Sequence, residues 1–300
     1  MSLTDISHLL SGPETKAGRL QREVLKVVRE HEADGALPTS GRFVWYELVT
    51  RGVVDKTKSR GHDGVKRGVD QDVAVALKHL RDQGIVPWWW IEDETRSVYR
   101  YDGSCSIRDG VLDLLEQVSI DPWDGQAPLV LTESRSLAGV LRPVASEYGI
   151  DLAPTNGQVG GFLHTDVVPL LRDGRRVLYL GDLDLSGAQI EANTRKVLSD
   201  ARVDADGRRY FVSDWQRLAL TEAQVDIYGL HDLVITKMDR RYKPHREHAA
   251  IETEALSQRV IVDILRTALD ELLPQPLADV QVREEAQRDL IRQALVEVTA

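Results

Sequence analysis

A single cysteine, Cys105, stands in 300 residues, so no internal disulfide can form and a cytoplasmic location is the simplest reading. No apolar run approaches the roughly 20 residues of a membrane span, and no membrane partner is expected. The start, Met1-Ser2-Leu3-Thr4-Asp5, has neither a basic patch nor a long apolar stretch and does not read as a secretory signal. A nucleotide-binding Walker loop is missing too. Ser11-Gly12-Pro13-Glu14-Thr15-Lys16 lacks the glycine spacing that would wrap a phosphate. Positive charge is in deficit, with a formal net charge of -10. That balance argues at first sight against nucleic acid. It is uneven, however: from Arg42 to Arg81 nine basic residues face five acidic ones. Local basic surface, not whole-chain charge, makes phosphate contacts.

What is present is an ordinary globular composition, 42% hydrophobic, in a chain long enough for two domains. Helical periodicity runs over Glu14–Glu32, with Leu20, Val24, Leu25, Val27 and Val28 on one face. A second helix is expected over Arg42–Thr50, capped by Thr39 or Ser40, and a third over Val69–Gln83. Ile85–Ile91 reads as extended, and Tyr99–Ile107 as a link. Three helices followed by a strand suggest a winged-helix-like module over residues 1–105. Residues 106–300 read as an α/β domain with C-terminal helices over Glu252–Leu273 and Val282–Val298, parted by Pro274-Gln275-Pro276.

The chemistry concentrates at two strand-to-helix junctions. Val177-Leu178-Tyr179-Leu180 reads as a buried strand, followed by Gly181-Asp182-Leu183-Asp184 and a helix from Ser186. Leu129-Val130-Leu131-Thr132 repeats the pattern, followed by Glu133 and a helix over Ser134–Tyr148. Carboxylates at the carboxyl ends of strands lie where open α/β sheets place their sites. Crowded carboxylates repel unless a cation joins them. Oxygen ligands without nearby cysteine or histidine suit Mg²⁺ or Mn²⁺. The plainer reading of Asp182 and Asp184 is an acidic loop that caps the following helix.

The order strand–Glu–helix, then strand–Asp-x-Asp–helix, resembles the Toprim domain, a Rossmann-like parallel-sheet fold. The resemblance spans about Pro128 to Trp215. It implies acid/base or metal chemistry for Glu133 and Mg²⁺ binding by Asp182 and Asp184. Arg42-Phe43-Val44-Trp45-Tyr46 resembles the Arg-x-x-Tyr-Tyr segment of topoisomerase VI A subunits and related meiotic strand-break proteins, with Trp45 in place of the first tyrosine. There the last tyrosine attacks a DNA phosphodiester, which implies Tyr46 here. Closer still is the similarity to short Toprim proteins of phages and actinobacteria. It rests on Tyr46-Glu47-Leu48-Val49-Thr50-Arg51-Gly52, Gly84-Ile85-Val86-Pro87-Trp88, Asp93-Glu94-Thr95-Arg96 and Ala250-Ile251-Glu252-Thr253-Glu254-Ala255-Leu256. In the topoisomerase family the tyrosine of one subunit works with the Toprim site of another, so the resemblance implies a homodimer acting on DNA. A separate ATPase subunit would be needed for strand passage.

The residues themselves leave more than one reading open. A tyrosine hydroxyl has a pKa near ~10 and needs help to attack. Arg42, one helical turn before Tyr46, could supply charge or hold the phosphate; equally it could make a surface ion pair. Tyr46 itself could be a core aromatic. Trp88, Trp89 and Trp90 could stack on bases, yet at least one must face the core. Lys56–Arg67 and Lys237–Arg246 are basic loops suited to nucleic acid or simply to solvent. His245 and His248 lack a third ligand and do not make a zinc site. Three functions follow: Mg²⁺-dependent DNA cleavage or transesterification, a hydrolytic nuclease on DNA or RNA, and a DNA-binding protein that keeps the fold without catalysis.

Overall fold

The structure is a computed structural model describing residues 9–12, 14–55, 59–60, 66–67, 69–92, 104–156, 162–200, 202–239 and 246–297. Its first part holds α1 (Lys16–Ala33), α2 (Gly41–Thr50), the short antiparallel pair β1 (Ser59–Arg60) and β2 (Lys66–Arg67), and α3 (Val69–Asp82). Local chemistry sets the helix starts. The Thr15 side chain accepts from Gly18 N at 3.0 Å, and Ser40, not Thr39, accepts from Phe43 N at 3.3 Å. Val24, Leu25, Val27 and Val28 of α1 pack with Val44 and Leu48 of α2 and with Val73, Leu77 and Leu80 of α3.

The segment after α3 departs from the extended reading. Trp88–Trp90 form a 3₁₀ turn. Arg81 holds it by donating Nη2–H to Trp88 O at 2.8 Å, and Thr39 pairs with Ile91 beside it. The strand expected to follow α3 in the winged-helix-like reading is therefore absent over 85–91 apart from the single Thr39–Ile91 bridge, and most of the Tyr99–Ile107 link lies outside the described residues. α4 (Ile107–Leu115) then leads into the sheet.

Four parallel strands form that sheet: β3 (Leu129–Thr132), β4 (Asp151–Pro154), β5 (Arg175–Leu180) and β8 (Val212–Ala219), in the order β4-β3-β5-β8. The α/β class with a Rossmann-like parallel sheet is therefore as expected. β3 and β5 alternate in register. Val130, Leu178 and Leu180 face one core, while Leu129, Leu131, Val177 and Tyr179 face the other. α5 (Arg135–Glu147) and a C-terminal helix, Gln258–Leu272, cover the first face. Residues 163–171 and a helix over Leu185–Ser199, here α6, cover the second.

Smaller elements complete the chain. β6 (Arg202–Val203) pairs with β7 (Arg209–Tyr210), α7 (Glu222–Ile227) follows β8, and β9 (Ile235–Asp239) pairs with β10 (Arg246–Ala250). The Gln258–Leu272 helix is α8; α9 (Leu277–Glu297) follows the expected proline break. Residues Glu252–Ser257, expected to open α8, instead form a strap with a single 3₁₀ turn at Thr253–Ala255. Polar contacts hold it out of the helix, as described below.

The N-terminal helices and the sheet share packing. Phe43 of α2 is fully buried in the core that contains Val130, Leu178 and α8. Burial of a side chain of this size contributes roughly 1.5–3 kcal/mol. Gln258 of α8 donates Nε2–H to Ala36 O at 2.6 Å and Pro38 O at 3.1 Å. Among the described residues, no helix is long and apolar enough to cross a membrane.

Candidate active site

β3 turns through α5 to β4 on one side of the sheet, and β5 turns through α6 to β8 on the other. The strand order thus reverses between β3 and β5. The crevice outside the carboxyl ends at such a reversal is the expected binding place of an open α/β sheet. Glu133 follows β3 directly, and Asp182 and Asp184 lie in the loop between β5 and α6.

Each carboxylate is fixed by a different partner. Glu133 Oε2 accepts from Asp182 N at 3.0 Å, which joins the two strand ends. Asp182 Oδ1 accepts from Thr253 N at 2.9 Å and Thr253 Oγ1 at 3.2 Å. Asp184 Oδ1 accepts from Gly187 N at 2.7 Å and caps α6. β5 ends at Leu180, so the two-residue period of a strand no longer sets the directions of Asp182 and Asp184. The capping reading of Asp184 is correct, and it leaves the charge of that carboxylate beside Glu133. Gly187 is required for this approach. A Cβ there would sit 2.4 Å from Asp182 O and 3.1 Å from Glu133 Oε2.

The strap over 251–256 organises the site. Leu183 and Ile251 exchange backbone hydrogen bonds at 2.9 and 3.2 Å. Glu254, 2% exposed, accepts from Ser134 Oγ at 2.9 Å and Ser136 Oγ at 2.8 Å. Arg42 completes it, with Nε 3.1 Å from Glu254 and Nη2 3.2 Å from Glu252. The ion-pair reading of Arg42 is the one the structure shows: its half-exposed guanidinium pairs with Glu252 and with the buried Glu254. Burial works against its charge, but Glu254, Glu252 and Asp182 outweigh that and hold the guanidinium above its usual range.

Tyr46 is brought near Arg42, whose guanidinium lies 6.0 Å from the ring centre, but the tyrosine is 0% exposed. Trp45 packs edge-on against it at 4.5 Å. A side chain so enclosed cannot meet a DNA phosphate in this conformation. The core reading of Tyr46 fits the structure better than the nucleophile reading.

The electrostatics at the strand ends are distinctive. Burial, then the charges of Asp182 and Asp184, push Glu133 up to about 7, against the pull of the Asp182 amide and Arg217. Arg217 braces the loop from below, donating Nη2–H to Gly181 O at 2.7 Å and Asp182 O at 2.8 Å. Its guanidinium lies 5.5 Å from the Tyr179 ring centre, and Tyr179 stacks on Trp215 at 5.5 Å. Among the described residues, no three histidine, cysteine or acidic side chains form a ready metal cage. Glu133, Asp182 and Asp184 supply oxygen donors of the kind a hard divalent cation takes, without being gathered into such a cage.

Comparison with known proteins gives no match to a family model, a curated protein or a solved structure.

Beside the carboxylates lies a cleft of about 470 Å³ between the N-terminal helices and the start of α5. Arg42, Lys78, Arg81 and Arg135 bring positive charge to it, and Glu92 opposes them. Asn156, whose N–H donates to Glu133 O at 3.0 Å, links the cleft to the strand end. Sequence reasoning included Lys78 and Arg81 only as part of a basic stretch and missed Arg135, Thr253, Glu254 and Arg217 as site-building residues. Arg217 had a signal, being a charge inside an otherwise strand-like run. Glu254 fell within the Ala250–Leu256 segment that carries the family similarity, but its role was not legible there, since its partners are about 120 and 210 residues away. Of the expected basic surfaces, Lys56 and Lys58 lie outside the described residues, as do 240–245 in the second loop.

Proposed function

We propose that this protein is a Mg²⁺- or Mn²⁺-dependent phosphodiester-cleaving enzyme acting on DNA, with Glu133, Asp182 and Asp184 as the metal-binding carboxylates. The observation that carries the reading is their gathering at the switch point of the sheet, next to a cleft rich in arginine and lysine. A Toprim fold with a winged-helix-like N-terminal module, of the topoisomerase VI A-like type, is the family reading consistent with this layout. When bound, the cation would neutralise phosphate charge and make water a better nucleophile. The chain's own part is to position and to move a proton. Asp182 is held by Thr253 and Asp184 by the α6 amide, so both present fixed oxygens. Glu133, near neutrality in its acidity, suits transfer of a proton to or from an attacking or leaving oxygen. Arg135 offers planar donors for phosphate oxygens at the cleft, while Arg42 lines it with its guanidinium paired to Glu252 and Glu254.

The burial of Tyr46 supports water, and not Tyr46, as the attacking group. A homodimer and an ATPase partner belong to the transesterase version of this reading. The test is incubation of supercoiled plasmid with the protein and Mg²⁺ or Mn²⁺, with and without later protease. Metal-dependent nicks with protein-free ends support hydrolysis. Ends that stay attached to protein until protease acts would restore Tyr46. DNA retention without any cleavage would leave a non-catalytic DNA-binding protein.

A further inference from the structure

We infer that Trp88 and Trp89 form a base-stacking platform joined through Arg81 to the cleft that Arg42, Lys78 and Arg135 line, and that the chain engages DNA through a single-stranded segment. The inference deepens the proposed DNA reading and rests on it for the choice of nucleic acid.

Three consecutive tryptophans divide sharply in their surroundings. Trp90 is 4% exposed and packs in the core of the N-terminal helices. Trp88 and Trp89 are 56% and 68% exposed. Large rings in open water are costly unless something covers them in use. The turn that carries them is held from several sides. Arg81 hydrogen-bonds Trp88 O and lies 4.1 Å from the Trp88 ring centre. Thr39 N donates to Trp90 O at 2.9 Å, and Glu92 N donates to Thr39 O at 2.9 Å. The buried Trp90 meets Trp89 edge-on at 6.0 Å. Two exposed aromatic rings are therefore presented on an ordered turn, which lowers the ordering cost of binding.

Charge decides the occupant. Arg81 touches Trp88 and lines the cleft with Arg135, with Lys78, which is paired to Asp82, and with Arg42, which is paired to Glu252 and Glu254; Glu92 is the acidic residue on the same lining. A ligand spanning the two needs flat unpaired rings and anionic groups in succession. A single strand of DNA has both, since its bases stack on aromatics while its phosphates follow a basic groove. A closed duplex buries its base faces, and an acidic peptide lacks the rings. A tailed end, gap or junction would offer such a segment beside the duplex.

The test uses the full chain and oligothymidylate, read by quenching of tryptophan emission and by anisotropy of a labelled strand. Trp88→Ala with Trp89→Ala should weaken oligothymidylate binding about 5- to 150-fold per stacked base. The loss should exceed that for a blunt duplex of equal length. Both rings are exposed, so the variant should fold; an unchanged melting midpoint checks this. Trp88→Phe with Trp89→Phe should recover part of the affinity. Equal affinity of the wild type and the alanine variant for oligothymidylate would overturn the platform. So would displacement of the strand by polyglutamate as effectively as by unlabelled DNA. The two readings fail separately. Tryptophan-dependent binding without cleavage would keep the platform and remove the metal chemistry. Cleavage of duplex with no effect of the two tryptophans would do the reverse.

Discussion

Glu133→Gln offers a direct measure of the strain at the switch point. In the folded chain burial and the charges of Asp182 and Asp184 bring Glu133 to about 7, against 4.5 for an unhindered carboxyl. A displacement of this size corresponds to at most ~3 kcal/mol between protonation states. Below pH 4.5 the group is protonated whether the chain is folded or not, and it costs nothing. As pH rises through about 7 the folded state must either keep the proton or accept a third crowded charge, and stability is lost. Glutamine keeps an oxygen for the Asp182 N–H and cannot ionise. The variant should therefore melt up to about 6 °C above wild type at pH 8, at roughly 2 °C per kcal/mol for a chain of this size. The two should converge near pH 4.5. Mg²⁺ should raise the wild-type midpoint at pH 8 and close most of that gap, since the ion stabilises the folded state by mass action. The variant should respond weakly. Melting curves at five pH values, with and without Mg²⁺, make the assay. Parallel wild-type and variant profiles across pH 4.5–8 would refute the electrostatic account of Glu133.

Other substitutions separate chemistry from architecture. Asp182→Asn with Asp184→Asn should abolish metal-dependent cleavage of plasmid; circular dichroism should stay near wild type because asparagine still caps α6, and melting at pH 8 should be no lower than wild type because the charges that crowd Glu133 are gone. Asp184→Ala should add a loss of about 1 kcal/mol by chemical denaturation. Gly187→Ala places a methyl 2.4 Å from the Asp182 carbonyl oxygen, so it should destabilise by about 1–3 kcal/mol and remove activity together. Tyr46→Phe should retain cleavage with protein-free ends on a denaturing gel; loss of activity in a folded variant would return the tyrosine to the chemistry. Glu254→Ala strips Arg42, Ser134 and Ser136 of a buried acceptor and should cost about 2–4 kcal/mol. Loss of less than about 0.5 kcal/mol would show that the strap does not hold the site.

The sequence by itself determined what depends on neighbours along the chain. Continuous apolar runs at Leu129–Thr132 and Val177–Leu180 specified strands buried on both faces, because a strand inside a two-layered α/β sheet is covered on each side. Serine and aspartate before apolar periods marked the helix starts after Ser40 and Asp184, because their side chains accept the first free amides, whereas periodicity alone placed the first helix from Glu14 and not after the Thr15 cap. The positions of Glu133, Asp182 and Asp184 at strand-to-helix junctions follow from the same local rules. Only the tertiary structure decided how these pieces meet. Parallel pairing of β3 with β5 brought Glu133 to the Asp182 amide across 49 residues. Glu252–Ser257 read as helix from periodicity, yet its polar groups are taken by Asp182, Arg42 and the α5 cap, and those distant partners override propensity. Tyr46, set among apolar neighbours on a helix, read more readily as core than as nucleophile, and the packing of α2 encloses it fully. Likewise the sequence requires at least one of Trp88, Trp89 and Trp90 to face the core, but only the 3₁₀ turn, held by Arg81 and Thr39, shows that Trp90 is the buried ring.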